Sequence, residues 1–320
     1  MSNRSFRIGG GLAVLVVGLV LTAAGCGTND SPTQKKLKVT ATTTMVGDIV
    51  KLTLGDAGEV TVIMGPGVDP HTFKPSTADL AAIKRADVVF YSGLHLEGKL
   101  VELLEHALGD RAVAVTRDIP HDRLLSWKEG QGGAYDPHVW FDVQLWSIAA
   151  KTVTETLAAR LPEQAAAVRT RGEALATQML ALDAYVKQKA LELPAEQRVL
   201  ITSHDAYSYF GKAYGFDVRG IQGISTETEA AVASVQAAVD FIVARKIKSI
   251  FVESSVPPAT IERVQGDCLA RGVSVTIGGE LYSDAMGVPG ERPGYAVETY
   301  DGTVRYNIDT IIRGLKGASK

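Results

Sequence analysis

From Leu37 onward the chain alternates short β-branched runs with segments of helical period, does so twice, and separates the two sets by a long stretch with no strand signal. In the first set, Leu37 to Ala41, Glu59 to Met64, Asp87 to Ser92 and Ala112 to Thr116 have the form of buried strands. Helices are predicted between them near Met45 to Leu54, Thr77 to Ala86 and Glu97 to Leu108, and Ser76-Thr77-Ala78-Asp79 has the form of a capping box. In the second set the strands fall at Arg198 to Thr202, Asp217 to Ile221, Ser249 to Glu253 and Ser274 to Ile277. Its helices fall at Ala206 to Tyr214, Glu227 to Arg245, Pro258 to Arg271 and Ile308 to Leu315. Between the sets, Val143 to Arg160 and, after Leu161-Pro162, Glu163 to Glu192 are Ala-rich and free of internal proline. That composition predicts helix, the second piece reaching about 45 Å at 1.5 Å per residue. The expected fold is α/β, with two similar βα lobes over residues 37–162 and 194–320 joined by one long rigid helix over 163–193.

With 320 residues, 46% hydrophobic and 22% charged, the chain is long and apolar enough for two cored domains. Its 33 basic and 36 acidic residues are scattered rather than gathered into a basic run, which excludes the electrostatic footprint of a nucleic-acid binder. The N-terminus has a different composition. Arg4 and Arg7 precede an apolar stretch from Ile8 to Ala24, and Leu21-Thr22-Ala23-Ala24-Gly25-Cys26 follows the pattern of a small-residue cleavage site, so residues 1–26 are read as an export signal. A spanning helix is the other reading, but the stretch is short of about 20 residues and is loosened by glycine. Ala-Gly-Cys resembles the bacterial lipobox, with Ala23 where that pattern usually has Leu, which makes Cys26 the candidate lipidation site and membrane anchor. Residues 27–36 then read as a flexible tether. The other cysteine, Cys268, sits in a helical pattern and reads as a small buried thiol.

Open α/β sheets bind ligands in loops beyond the carboxyl ends of their strands, so two lobes can close a cleft from both sides. Three histidines and an aspartate fall in such places. His71 lies in Gly67-Val68-Asp69-Pro70-His71-Thr72-Phe73 after a strand, and His138 in Asp136-Pro137-His138-Val139-Trp140. With 12 prolines and 6 histidines in the chain, a repeated Asp-Pro-His is not expected from composition. Proline fixes its own φ and holds the preceding residue extended, so the imidazole that follows is aimed. His204 ends a strand in Ser203-His204-Asp205-Ala206-Tyr207, and Asp284 follows another in Tyr282-Ser283-Asp284-Ala285-Met286-Gly287. Imidazole and carboxylate are ordinary ligands for a divalent first-row ion, and two from each lobe make four. Glu253, at a strand end before Ser254-Ser255, is either a partner that orients a ligand histidine or a solvated carboxylate. His95, His106 and His121 read as surface or packing residues.

Together these motifs, with Gly-Ile-Ser-Thr-Glu-Thr-Glu at 223–229, resemble the TroA-like zinc and manganese receptors among the ABC-importer substrate-binding proteins, over about Leu37 to Leu315. The resemblance implies one Zn²⁺ or Mn²⁺ held by His71, His138, His204 and Asp284 in the cleft between lobes. It also implies a partnership with a membrane permease and its ATPase, on a monomer facing the periplasm or cell exterior. The polar segment Pro120 to Tyr135 has one histidine, where many zinc-specific relatives carry a long His/Asp-rich loop. Two other functions could use the same ligand types. A metallohydrolase needs an open coordination position that four protein ligands do not leave, and no His-Glu-x-x-His or Gly-x-Ser-x-Gly pattern occurs. A metal-stabilised surface adhesin would unfold when stripped of its ion, whereas a receptor must release it and stay folded.

Cys26→Ser is expected to move the protein from the membrane fraction to the soluble exported fraction, because stable lipid anchoring needs more than one acyl chain. Retention of the variant in membranes would identify the apolar segment as a spanning helix.

Overall fold

A computed structural model of the chain describes residues 36–127 and 135–317. The export signal, Cys26 and nearly all of the tether lie outside the described residues, as do positions 128–134 of the polar segment. Among the described residues, no helix is long and apolar enough to cross a membrane.

The first half builds four strands, β1 (Leu37–Ala41), β2 (Gly58–Val62), β3 (Val88–Tyr91) and β4 (Ala112–Ala114), in one parallel sheet of order β2-β1-β3-β4. Every residue of β3 is buried, as expected of a strand covered on both faces. Helix α1 (Thr44–Leu54) starts where the Thr43 side chain accepts from the Val46 N–H. Helix α2 (Thr77–Arg85) starts at the reciprocal Ser76–Asp79 capping box. The helix expected over 97–108 forms in mixed register, a 3₁₀ turn (Gly98–Leu100) running through Val101 and Glu102 into a π turn (Leu103–Ala107). Gly98 at its start has φ +39°, and a Cβ there would lie 2.5 Å from the His71 carbonyl oxygen, so the chain enters the helix against the His71 loop.

Helix α3 (Val143–Arg160) is capped by Asp142, whose carboxylate accepts from the N–H groups of Gln144 and Leu145. Pro162 opens a 3₁₀ turn, so the long helix α4 runs Ala165–Ala190, 26 residues or about 39 Å, slightly shorter than expected. It braces both halves. Arg171 donates to the last carbonyls of α1, at Thr53 (2.7 Å) and Leu54 (2.8 Å), and the Tyr185 hydroxyl donates to Asp309 near the chain's end.

The second half comprises β5 (Val199–His204), α5 (Ser208–Tyr214), β6 (Asp217–Gln222), α6 (Val232–Arg245), β7 (Ser249–Glu253), α7 (Ala259–Ala270), β8 (Thr276–Leu281) and α8 (Tyr300–Leu315). Here the strands form two parallel pairs, β5-β6 and β7-β8, with β5 lying beside β7, so the order β6-β5-β7-β8 repeats that of the first half. Three boundaries differ from expectation. Helix α6 begins five residues late, because the Gln222 amide donates to the carbonyls of Thr226 (3.2 Å) and Thr228 (2.6 Å) and holds that stretch as a loop. Strand β8 runs to Leu281 rather than ending at Ile277. Helix α8 begins at Tyr300 behind the Thr299 cap, although Gly302 weakens the helical signal; a Cβ on that glycine would strike the Ala296 carbonyl oxygen.

One apolar cluster crosses the whole assembly, taking in Val39 and Phe90 of the first sheet, Trp146 of α3, Leu182 of α4, Phe251 of β7 and Ile308 of α8. The two lobes therefore share a core. Phe141 and Tyr207 stack across it with ring centroids 4.0 Å apart.

Gly172 in α4 decides how closely α4 lies on α3, since a Cβ there would come within 2.5 Å of the Thr154 side chain. Helix propensity alone makes Gly172→Ala stabilising by about 1 kcal/mol. The close approach reverses the sign, and the variant is expected to lose about 1–3 kcal/mol by overpacking. Urea denaturation of the two proteins checks this, and a gain would mean that the helices separate freely.

Candidate metal centre

The two Asp-Pro-His motifs fold alike at the backbone. In each, the aspartate Oδ1 accepts the N–H of the histidine two residues on at 2.9 Å, Asp69 from His71 and Asp136 from His138. This local turn forms because the intervening proline has no N–H to compete and a fixed φ. The side chains then divide. Asp136 Oδ1 lies 2.7 Å from His138 Nδ1, which leaves His138 Nε2 facing the cleft. Asp69 Oδ2 instead accepts from Thr72 Oγ1 at 3.0 Å and, across the cleft, from Thr226 Oγ1 at 2.5 Å. One aspartate orients an imidazole and the other ties the lobes together.

His204 is the last residue of β5, and Glu253 the last of β7 beside it. Glu253 Oε1 accepts the His204 backbone N–H at 2.9 Å, and its Oε2 lies 2.5 Å from His204 Nδ1. With 3% exposure it is not a solvated strand-end carboxylate. Asp284 follows β8; its Oδ2 accepts from Ser255 Oγ at 3.0 Å, which turns Oδ1 toward the cleft. The loop bearing it is held by Trp140 Nε1 donating to the Ser283 carbonyl and Tyr207 Oη donating to the Tyr282 carbonyl, both at 3.0 Å.

His71, His138, His204 and Asp284 converge in one place, each offering a ligand atom, all within 4.8 Å of one another. His71 Nε2 is 3.2 Å from His138 Nε2, and Asp284 Oδ1 is 3.5 Å from His138 Nε2 and 3.4 Å from His204 Nε2. A tetrahedral ion with bonds of about 2.0–2.1 Å separates its ligand atoms by about 3.3–3.4 Å, close to these three spacings of the six in the group. His204 Nε2 and Asp284 Oδ1 are buried without a hydrogen-bond partner among the described residues. Such groups are costly unless something completes them, and a cation at their centre would.

The remaining histidines stay outside this group. His95 is exposed between β3 and the 3₁₀ turn, His106 is exposed on the π turn, and His121 is exposed with Nδ1 3.3 Å from the Tyr135 hydroxyl. Sequence reasoning named the four central residues and Glu253 but assigned no role to Asp136, Asp69 or Ser255. The repeated tripeptide was a usable signal for the two aspartates, since an Asx turn before a fixed histidine needs a carboxylate at that position.

Charge in the cleft is compensated by protons. Burial opposes a charge on His138, but Asp136 and Asp284 outweigh it and lift the imidazole to about 9. Burial likewise opposes a charge on His204, yet Glu253 and Asp284 raise it well above the usual imidazole range. Asp284 is held well below the carboxylate range, burial notwithstanding, by His204 and His138. His71 has no carboxylate behind it, and burial pushes it down to about 3, so it is neutral.

Imidazoles must be neutral to coordinate, so an ion displaces the protons on His138 and His204. Binding at pH 7 is expected to release about two protons. Apparent affinity should therefore fall as pH drops from about 9, the His138 value, and not only below the ordinary imidazole range. Calorimetry in buffers of different ionisation enthalpy measures the release; binding heat independent of buffer would refute it.

The profile of periplasmic zinc-uptake complex component A (ZnuA) matches residues 39–314. The zinc-binding protein TroA of Treponema pallidum (strain Nichols) is 45% identical over 291 residues, 90% of this chain and 92% of that protein. The manganese-binding lipoprotein MntA of Bacillus subtilis (strain 168) is 40% identical over 310 residues, 96% and 99% of the two chains. The solved structure of the periplasmic zinc-binding protein TroA from Treponema pallidum superposes with a TM-score of 0.83 at 44% identity, covering 88% of this chain and 99% of that one. With a buried three-histidine, one-carboxylate cluster between two βα lobes, the chain belongs to the zinc-uptake complex component A family of periplasmic metal-binding proteins.

Proposed function

We propose that this protein is the extracytoplasmic receptor of an ABC importer, that it holds one zinc or manganese ion with His71, His138, His204 and Asp284, and that it delivers the ion to a membrane permease driven by its ATPase. The observation that carries this reading is the convergence of four buried side chains from both lobes on one point. A relative named for zinc and several named for manganese support the cargo class. Several relatives are named lipoproteins, which supports an anchor on Cys26 and a location outside the cytoplasmic membrane. The protein acts as a monomer and binds no nucleic acid.

The receptor reading is favoured over hydrolysis by the ligand set itself. Four protein ligands fill a tetrahedral ion, leaving no position for the water a hydrolase activates. It is favoured over a purely structural metal site by the shared apolar core, which holds the lobes together by burial independent of any ion. An ion that does not carry the fold can be given up.

Between the two cargo ions, a nitrogen-rich site has higher intrinsic affinity for Zn²⁺ than for Mn²⁺, which prefers more oxygen ligands. Competitive titration of apoprotein should find one ion per chain and tighter binding of zinc. Replacing any one of His71, His138, His204 or Asp284 by Ala should weaken binding by more than about 100-fold while circular dichroism stays native. Asp136→Asn or Glu253→Gln should cost about 10–100-fold, the range for partners that orient a ligand. His204→Glu should shift the preference toward manganese by trading nitrogen for oxygen. Stoichiometric binding surviving all four alanine variants would refute the site.

A further inference from the structure

An ion held by side chains exposed by 0 to 3% must pass something to reach them, and His71, at 3%, is the most exposed of the four. Beside it opens a cavity of about 210 Å³ whose wall includes His71, His95, Gly98, Lys99, Ser225 and Glu227. A larger cavity of about 500 Å³ shares the loop after β6 and is lined by Asp69, Thr226 and Ser255, but none of the four converging side chains reaches its wall. The Asp69–Thr226 hydrogen bond joins the lobes at residues that line the larger cavity.

The smaller cavity is built with some care. Leu94 (φ +55°) and His95 (φ +64°) are consecutive non-glycine residues in the left-handed region, an arrangement that is disfavoured and persists only when its surroundings enforce it. Buried Glu97 enforces it. Its Oε1 accepts from the Ser92 N–H at 2.6 Å and from Thr42 Oγ1 at 2.7 Å, and its Oε2 from the Gly93 N–H at 3.3 Å. Gly98 then brings this loop against the His71 carbonyl more closely than any side chain would allow, and the position of a Cβ on Gly98 is 3.9 Å from Glu227 Oε1 of the second lobe. The outcome is an imidazole from one lobe and a carboxylate from the other in one cavity with His71. Among the described residues, neither the His95 imidazole nor the Glu227 carboxylate has a hydrogen-bond partner, while the His95 carbonyl accepts from the Gly98 N–H.

We propose that this cavity is a transit site for the divalent cargo ion, in which His95 and Glu227 ligate the partly hydrated ion and pass it to His71. This rests on the receptor reading above and deepens it. Imidazole and carboxylate suit the same first-row ions as the buried centre, and two protein ligands with the rest water make a weak, exchangeable site. Lys99 on the same wall opposes a cation and sets the height of the gate.

Rapid mixing of full-length apoprotein with Zn²⁺ tests this, read by intrinsic fluorescence, since the Trp140 ring lies 5.2 Å from that of His138. His95→Ala combined with Glu227→Gln is expected to slow association by about tenfold, in the range of local electrostatic capture. Dissociation into excess chelator should slow by the same factor, leaving the equilibrium affinity unchanged. Lys99→Gln should accelerate both. Unchanged association in the double variant would overturn the proposal. So would slower association with unchanged dissociation, because affinity would then fall and the two residues would belong to the resting site. If the unmodified chain bound no ion at all, the receptor reading itself would fail, a result distinct from either.

Discussion

The structure turns on charge compensation inside a buried cleft. Three imidazoles and a carboxylate at 0 to 3% exposure cannot be left as they are in solution, because each charge brought out of water must find a counter-charge close by. Asp136 behind His138 and Glu253 behind His204 supply it on the far side of each ring, and Asp284 supplies it on the near side. A cation can replace two protons in this arrangement with little change in local charge balance. His71 stands apart, with no carboxylate at its Nδ1 and a neutral ring.

The parts of the site are held in place by the fold around them. The ligand-bearing loops come from both lobes, and the lobes are cross-linked close to them. Trp140 holds the loop of Asp284, the Met286 N–H donates to Thr44 Oγ1 (2.9 Å), and the Tyr300 hydroxyl donates to the Trp140 carbonyl (2.6 Å). Beneath them the apolar cluster runs continuously from the first sheet through α3 and α4 to α8. Close-packed cores of this kind resist small displacements. The stretch after β6 is tied to the first lobe, among the described residues, through the hydrogen bond from Thr226 Oγ1 to Asp69.

Much of this was legible in the residues. The alternation of strand and helix, the capping box at Ser76 and the repeated Asp-Pro-His are local signals, and local physics carries them into the fold unchanged. The departures arise where a distant group intervenes. The helix that starts at Gly98 enters in a left-handed conformation against the His71 loop and runs in mixed 3₁₀, α and π register, and α6 starts late because Gln222 claims the carbonyls ahead of it. Neither partner can be found from the periodicity of the segment itself.

The sequence by itself determined which residues could bind an ion and the kind of fold that would present them, since ligand chemistry and hydrophobic period reside in the residues. Tertiary structure decided which carboxylate stands behind which histidine. Asp136 serves its own motif through a two-residue turn, whereas its counterpart Asp69 is turned away to bridge the lobes. Glu253 serves His204 across 49 residues of chain because β5 and β7 run side by side. Strand adjacency is set by how helices cover both faces of a sheet, a property of the whole assembly that leaves no mark in the local pattern of either strand.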